Sequence, residues 1–424
     1  MSRAMKDSGI SWIGEIPKEW EVVPFRSYTI ERAEKNKGEK TRELLALSFA
    51  LGVTLYEDKV YNMDRVKDNY EDYQLVYKND LVLSPNDIIK GSVYVSKYNG
   101  CISPMYCVFS ARNTNTHNLL YLSYLLRTKE AGRRFFFIAR GLIGGILDNG
   151  KYVTRRMTVS RQDLLSFKVL LPPFPEQRKI VDFLDKRCGE IDETIALQEE
   201  FIEELKAYKQ SVITEAVTRG LNPNVKLKDS GIDWIGKIPQ GWKVAQLKRY
   251  AKVNNGKEVP VELDADDERA KPVYGSGGVF KYTNDTMYSG EAVMFGRKGT
   301  LGKPLYVNGS FWVVDTMYYL TYSNGLIPKY SYYQLSAFDW NPYITQTAIP
   351  SIVASDIMGA YVCIPHIDEQ QQIVDYLDNK CTEIDSLIAI KQQKIEGLKD
   401  YKKSVIYEYV TGKKEIQTIK QNRI

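Results

Sequence analysis

Apolar side chains fall at positions 184, 188, 191, 195, 202, 205, 212 and 216, three or four residues apart except at two skipped places. The same spacing returns at 377, 381, 384, 388, 395, 398, 405 and 409. Such steps keep one stripe of an α-helix apolar, and sustained over several heptads they predict a coiled-coil seam. Leu184, Ile191, Ile195, Leu205 and Val212 carry the first run, and Leu377, Ile384, Ile388, Leu398 and Val405 the second. The skipped places hold Gln198 and Lys209, then Lys391 and Lys402. Polar residues in a seam fix register at some cost in stability. Each run opens shortly after a proline, with Glu and Gln in its first turn, and closes near Gly220 or Gly412. A helix of about 44 residues is roughly 65 Å long, and two in one chain are expected to pack on each other.

The segments before and between these helices have another pattern. Short alternating or β-branched runs predict strands at 81–84, 91–95 and 107–109, and again at 292–295, 304–307 and 311–314. Residues 118–126 predict a helix inside the first segment. The expected class is α+β, with two mixed, strand-rich modules and two long helices.

The whole order is repeated. Lys6-Asp7-Ser8-Gly9-Ile10-Ser11-Trp12-Ile13-Gly14-Glu15-Ile16-Pro17-Lys18-Glu19-Trp20 returns as Lys228-Asp229-Ser230-Gly231-Ile232-Asp233-Trp234-Ile235-Gly236-Lys237-Ile238-Pro239-Gln240-Gly241-Trp242, at an offset of 222. The helix start Glu176-Gln177-Arg178-Lys179-Ile180-Val181-Asp182-Phe183-Leu184-Asp185 returns as Glu369-Gln370-Gln371-Gln372-Ile373-Val374-Asp375-Tyr376-Leu377-Asp378, at an offset of 193. Between these repeated parts, 27–171 and 249–364 share little, so two unlike modules sit in a shared frame. The expected divisions are 1–171 (repeat motif and first module), 172–221 (first helix), 222–364 (repeat motif and second module) and 365–424 (second helix and tail).

Composition narrows the chemistry. The 424 residues are 43% hydrophobic and 26% charged, which suits a globular chain with substantial cores. No apolar run approaches the ~18 residues of a membrane span, and Met1–Asp7 lacks a secretory apolar region. No membrane association and a cytoplasmic location are expected. Cysteines 101, 107, 188, 363 and 381 form no Cys-x-x-Cys pair, and His117 and His366 are the only histidines. Neither a metal site nor a catalytic triad is evident.

The net charge of +5 is spread unevenly. Residues 112–168 hold 11 Lys and Arg against 3 Asp and Glu, whereas 176–220 hold 7 against 11. A basic module followed by an acidic helix predicts that the module meets a polyanion and the helix does not. The candidate contacts in this module are Arg133, Arg134, Arg140, Lys151, Arg155 and Arg156, together with Ser84, Asn86 and Lys90 in the turn after the strand at 81–84.

In the second module, Phe295-Gly296-Arg297-Lys298-Gly299-Thr300-Leu301-Gly302-Lys303-Pro304 has the outline of a P-loop. Its glycine spacing is one residue too long, and Pro304 stands where a magnesium-binding hydroxyl belongs. Arg297, Lys298, Gly299, Thr300 and Lys303 instead suit a turn that brings backbone N–H groups and cations to phosphates or bases. Residues 249–364 as a whole carry 10 basic against 11 acidic residues, so overall charge marks no polyanion-binding face there and the loop gains weight. Asp339-Trp340-Asn341-Pro342-Tyr343 lacks one proline of the adenine-methyltransferase signature, and no glycine-rich S-adenosylmethionine fingerprint is evident. The chain reads as a recognition protein without catalytic residues.

The doubled Trp-Ile-Gly-x-Ile-Pro-x-x-Trp, the doubled Pro-x-x-x-Glu-Gln-x-x-Ile-Val-x-aromatic-Leu-Asp, and the helix ends Lys209-Gln210-Ser211-Val212-Ile213 and Lys402-Lys403-Ser404-Val405-Ile406 together resemble the specificity subunit of type I restriction–modification enzymes, over nearly the whole chain. The resemblance implies that the modules are target recognition domains, each reading half of a split double-stranded DNA sequence. The helices would form an antiparallel coiled-coil spacer in a pseudo-two-fold arrangement and dock two methylation subunits. S-adenosylmethionine, ATP and Mg2+ would sit on the methylation and restriction subunits, and none on this chain. The alternative from the residues alone is a protein-only coiled-coil scaffold whose modules bind two protein partners.

Overall fold

A computed structural model describes residues 3–59, 69–142, 156–323, 325–345 and 350–416. The chain forms two compact units, residues 1–197 with 394–424, and residues 198–393. The first long helix, Phe174–Arg219, and the second, Ile367–Val410, each contribute to both.

In the first unit an antiparallel sheet runs in the order Thr29–Glu31, Cys107–Ala111, Leu81–Leu83, Val93–Val95. The last three are the strands expected from the pattern. Side chains alternate across a sheet, so Leu81, Leu83 and Phe109 enter the main core with the helix Leu119–Leu126. Val82 and Val108 enter a second cluster with Leu45, Leu47, Val53, Val76 and Ile102. Asn118 starts the helix by accepting from the backbone N–H groups of Leu120 and Tyr121.

In the second unit six strands lie in the order Ala251–Asn255, Met317–Tyr322, Tyr288–Gly296, Leu305–Val313, Lys271–Gly275, Gly278–Thr283. All pairs are antiparallel except Leu305–Val313 with Lys271–Gly275. The two strands expected at 304–307 and 311–314 are one. Asn308-Gly309-Ser310 looks like a turn in isolation, but pairing with Glu291, Gly290 and Ser289 holds it extended.

The long helices meet along the expected seam. In the first unit Phe183 packs on Tyr409 with ring centroids 4.4 Å apart, and Asp192 pairs with Lys402, so the helices run antiparallel. In the second unit Gln198 meets Lys391 and Lys209 meets Asp385, again antiparallel. Leu184, Ile191, Leu377, Ile384 and Val405 are buried. Ile195, Leu205, Val212, Ile388 and Leu398 are half-buried. Burying such a side chain fully contributes about 1.5–3 kcal/mol. The polar seam positions are satisfied, with Lys209 Nζ to Asp385 Oδ2 at 2.6 Å, Lys402 Nζ to Asp192 Oδ2 at 2.6 Å, and Lys391 Nζ to Gln198 Oε1 at 3.1 Å.

Each long helix ends at a left-handed glycine, Gly220 with φ 73° and Gly412 with φ 70°, a conformation that glycine adopts without a Cβ clash. Both abut the tryptophan of a repeat motif. A Cβ on Gly220 would stand 3.1 Å from the Trp242 ring, and one on Gly412 would stand 3.1 Å from the Trp20 ring and 2.4 Å from Pro17. The helix stop signal and the repeated tryptophan motif are therefore one packing unit.

Candidate nucleic-acid interface

The modules are held by the repeated residues. Trp20 is buried, and its Nε1 donates to Glu176 Oε2 at 2.9 Å; Trp242 donates to Glu369 Oε2 at 2.9 Å. Each carboxylate lies in the first turn of a long helix, where the helix dipole favours negative charge. The next residue reaches into the module. Buried Gln177 donates to the carbonyls of Pro172 and Thr116, at 2.7 and 3.0 Å, and its Oε1 accepts from Tyr28 Oη and Asn118 N, at 2.6 and 2.8 Å. Buried Gln370 donates to Pro365 and Gly325 and accepts from Ile327 N. Burial drives the Tyr28 phenol far above its usual range, so it remains a neutral donor to Gln177.

A third equivalence lies inside the modules, where the sequences looked unrelated. Tyr121 donates to the carbonyl of Val410 at 2.8 Å, and Tyr124 to Asp185 Oδ1 at 2.6 Å. Tyr330 donates to the carbonyl of Val217 at 3.4 Å, and Tyr333 to Asp378 Oδ1 at 2.6 Å. The sequence signal was a Tyr-x-x-Tyr pair on one helix of each module, at an offset of 209 that matches neither of the other two.

The candidate residues of the first module separate into two groups. Ser84 is buried, and its hydroxyl accepts from Asp87 N at 3.3 Å, so it builds the turn and does not face a ligand. Asn86 is exposed and accepts from Thr158 Oγ1. Lys90 is exposed and pairs with Asp87 at 3.1 Å. Arg133 and Arg134 are exposed on the helix Lys129–Ile138. Arg140 begins the strand Arg140–Leu142, which pairs with Arg156–Thr158, and its guanidinium lies 3.9 Å from Asp163. Lys151 and Arg155 lie outside the described residues, and Arg156 is placed by its backbone alone.

In the second module Arg297, Lys298, Gly299, Thr300 and Lys303 lie together and exposed on the connection between the antiparallel strands Tyr288–Gly296 and Leu305–Val313. The loop leads into a strand, whereas a P-loop leads into a helix. Arg297 N donates to Thr316 O at 2.8 Å, and its guanidinium lies 5.7 Å from the centre of the Tyr318 ring. Thr300 N donates to Ser276 Oγ at 3.3 Å, and Ser276 Oγ stands 2.9 Å from where a Cβ on Gly299 would be. The backbone is thus fixed while the cationic ends stay in solvent, an arrangement suited to contacting phosphates and base edges. Trp340 of the Asp-Trp-Asn-Pro segment is buried and donates to Leu335 O at 2.8 Å, so this segment is a packing element.

Among the described residues no group of three or more His, Cys, Asp or Glu is placed to hold a metal ion, and no helix is long and apolar enough to cross a membrane. The buried seam residues hold helix to helix, so any partner docking on the helices meets their outward faces.

Residues 33–207 and 239–400 match the family of type I restriction modification DNA specificity domains. The MjaVIII specificity subunit of a type I restriction enzyme from Methanocaldococcus jannaschii is 22% identical, over 95% of this chain and 95% of that protein. A solved chain from an account of complex assembly and conformational transition of the type I R-M system has a TM-score of 0.71 at 14% identity, covering 93% of this chain and 98% of that one; the likeness is one of fold. With two copies of the domain spanning most of its length, each clamped to the start of a long helix by the same tryptophan, glutamine and tyrosine contacts, the chain belongs to the type I restriction–modification DNA specificity family.

Proposed function

We propose that the two modules read the two halves of a bipartite, asymmetric double-stranded DNA target, and that the chain directs adenine methylation and DNA restriction carried out by other subunits. The observation that carries this reading is the clamp: unlike modules are fastened to equivalent helix starts by Trp20–Glu176 and Trp242–Glu369, by Gln177 and Gln370, and by Tyr124–Asp185 and Tyr333–Asp378. A repeated fastening with unlike modules suits two readers of different half-sites, since protein repeat geometry is matched by half-site arrangement. Arg297, Lys298 and Lys303 in the second module and Lys90, Arg133, Arg134 and Arg140 in the first are the proposed contacts. Lys151, Arg155 and Arg156 extend the first set by their charge.

The partners in this reading are two methylation subunits, which hold S-adenosylmethionine, and restriction subunits, which use ATP and Mg2+. This chain carries no catalytic residue, binds none of these cofactors, and works in the cytoplasm. Fluorescence anisotropy of the full chain on a mixed-sequence duplex at several salt concentrations tests the DNA role. Affinity should fall steeply as salt rises, because phosphate contacts release counterions. Absence of salt-dependent binding would favour the protein-only scaffold.

A further inference from the structure

One surface of the first unit is not accounted for by packing or by the clamp. Lys90, Arg127, Lys129, Arg133 and Lys403 line a single open cleft with Phe136 and Phe137. The cleft is built by close approach. The helix Lys129–Ile138 lies so near the turn Ile88–Lys90 that a Cβ on Gly132 would stand 2.5 Å from the carbonyl oxygen of Ile89. Arg127 is held over the Tyr94 ring at 4.3 Å, and the Tyr94 hydroxyl donates to Phe49 O at 2.8 Å. Lys90 and Lys403 each have one carboxylate neighbour, Asp87 at 3.1 Å and Asp400 at 2.8 Å, while their own side chains remain 69% and 66% exposed. Arg133 has no ion-pair partner among the described residues. The cleft is therefore cationic beyond what its own acids neutralise.

Beside these cations stands an apolar ring in water. Phe135 is fully buried and stacks on Phe167 at 4.2 Å, but Phe137, two residues on, is 76% exposed, its ring centre 6.0 Å from that of Phe136, itself 39% exposed. Cations that flank an exposed aromatic ring suit a nucleic acid, whose phosphates take the charges while its bases take the ring.

We propose that this cleft seats the phosphate backbone of duplex DNA and that Phe137 is an apolar wedge against the adjacent base step. The inference rests on the DNA-reading role above and adds Arg127, Lys129, Lys403 and Phe137 to its residues. Lys403 extends the cleft onto the second long helix, Ile367–Val410.

The test uses the full chain and a fluorescently labelled mixed-sequence duplex. The triple variant Lys129→Ala, Arg133→Ala, Lys403→Ala should flatten the slope of log affinity against log salt by about 2–3. Phe137→Ala should weaken binding roughly fivefold or more with the slope unchanged, and Phe137→Trp should restore it. All four positions are exposed, and circular dichroism of each variant checks the fold. If the wild-type chain shows the steep slope and the variants match it, this inference is overturned and the DNA role stands. If the variants bind DNA like wild type but no longer co-purify with a methylation subunit, the cleft is a protein-docking surface and the inference is again overturned. A wild-type chain without salt-dependent binding would instead overturn the DNA role itself.

Discussion

Trp20 and Glu176, 156 residues apart, are joined by an indole N–H to carboxylate bond of 2.9 Å, and Trp242 and Glu369 repeat it at 2.9 Å. Removing only the donor should loosen only the module concerned. Trp20→Phe is expected to cost about 1 kcal/mol, because Glu176 loses one donor but keeps Arg3, whose Nη2 donates to Oε2 at 2.8 Å. Hydrogen exchange reads it: protection of Leu81–Leu83 and Cys107–Ala111 should fall while that of Met317–Tyr322 is kept. Trp242→Phe should give the reverse.

The glutamine beside each carboxylate has a larger expected effect. Gln177→Leu leaves the Pro172 and Thr116 carbonyls without their donor, while Tyr28 and Asn118 keep only their bonds to each other, Tyr28 Oη to Asn118 O at 3.0 Å and Asn118 N to Tyr28 Oη at 3.2 Å. Each buried polar group so orphaned costs about 1–3 kcal/mol. Calorimetry should show the first unit melting earlier and the transition of the second unchanged. Gln370→Leu should shift the second alone.

The parts of this fold legible in the sequence are those written in short periods. The seam from Leu184 to Val212 and from Leu377 to Val405 follows a helical repeat, and Gly220 and Gly412 mark its ends without any tertiary information. The clamp was half legible: the Trp and Glu-Gln motifs were visible as repeats, but their contact joins residues whose offsets differ. Tyr121-x-x-Tyr124 was hidden because aromatic residues three apart on an apolar helix resemble any core helix. Leu305–Val313 was split because a turn signal at Asn308-Gly309-Ser310 is overridden by pairing with Tyr288–Gly296. Exposure is not written in residue type, so Ser84, a plausible contact by composition, lies buried. Phe137 could not be told from Phe135 for the same reason.

Burial also sets the behaviour of the thiols. It pushes Cys363 up to about 12 and Cys101 and Cys107 up to about 11, from an ordinary value of 9.0. A thiol raised in the folded state contributes stability that is full below the unfolded value and is lost as pH rises through the folded one. Stability to denaturant should therefore decline between about pH 9 and pH 12. Iodoacetamide at pH 8 should leave these three cysteines unlabelled in the folded chain and label them in denaturant.

The loop of the second module divides its cations by role. Arg297→Ala should relax recognition in one half-site by about 1–3 kcal/mol if its guanidinium makes a bidentate base contact. Lys298→Ala and Lys303→Ala should weaken binding to all sequences alike. Methylation sequencing together with binding at two salt concentrations separates these outcomes.

The claim that two unlike modules in one frame read two half-sites is tested most directly by exchanging a module. A chain in which residues 27–171 are replaced by a foreign recognition module is expressed with its methylation subunit, and the methylated sequences are read by single-molecule sequencing. The account predicts that one half of the methylated sequence changes and the other is retained base for base. A change in both halves, or in neither, would contradict it.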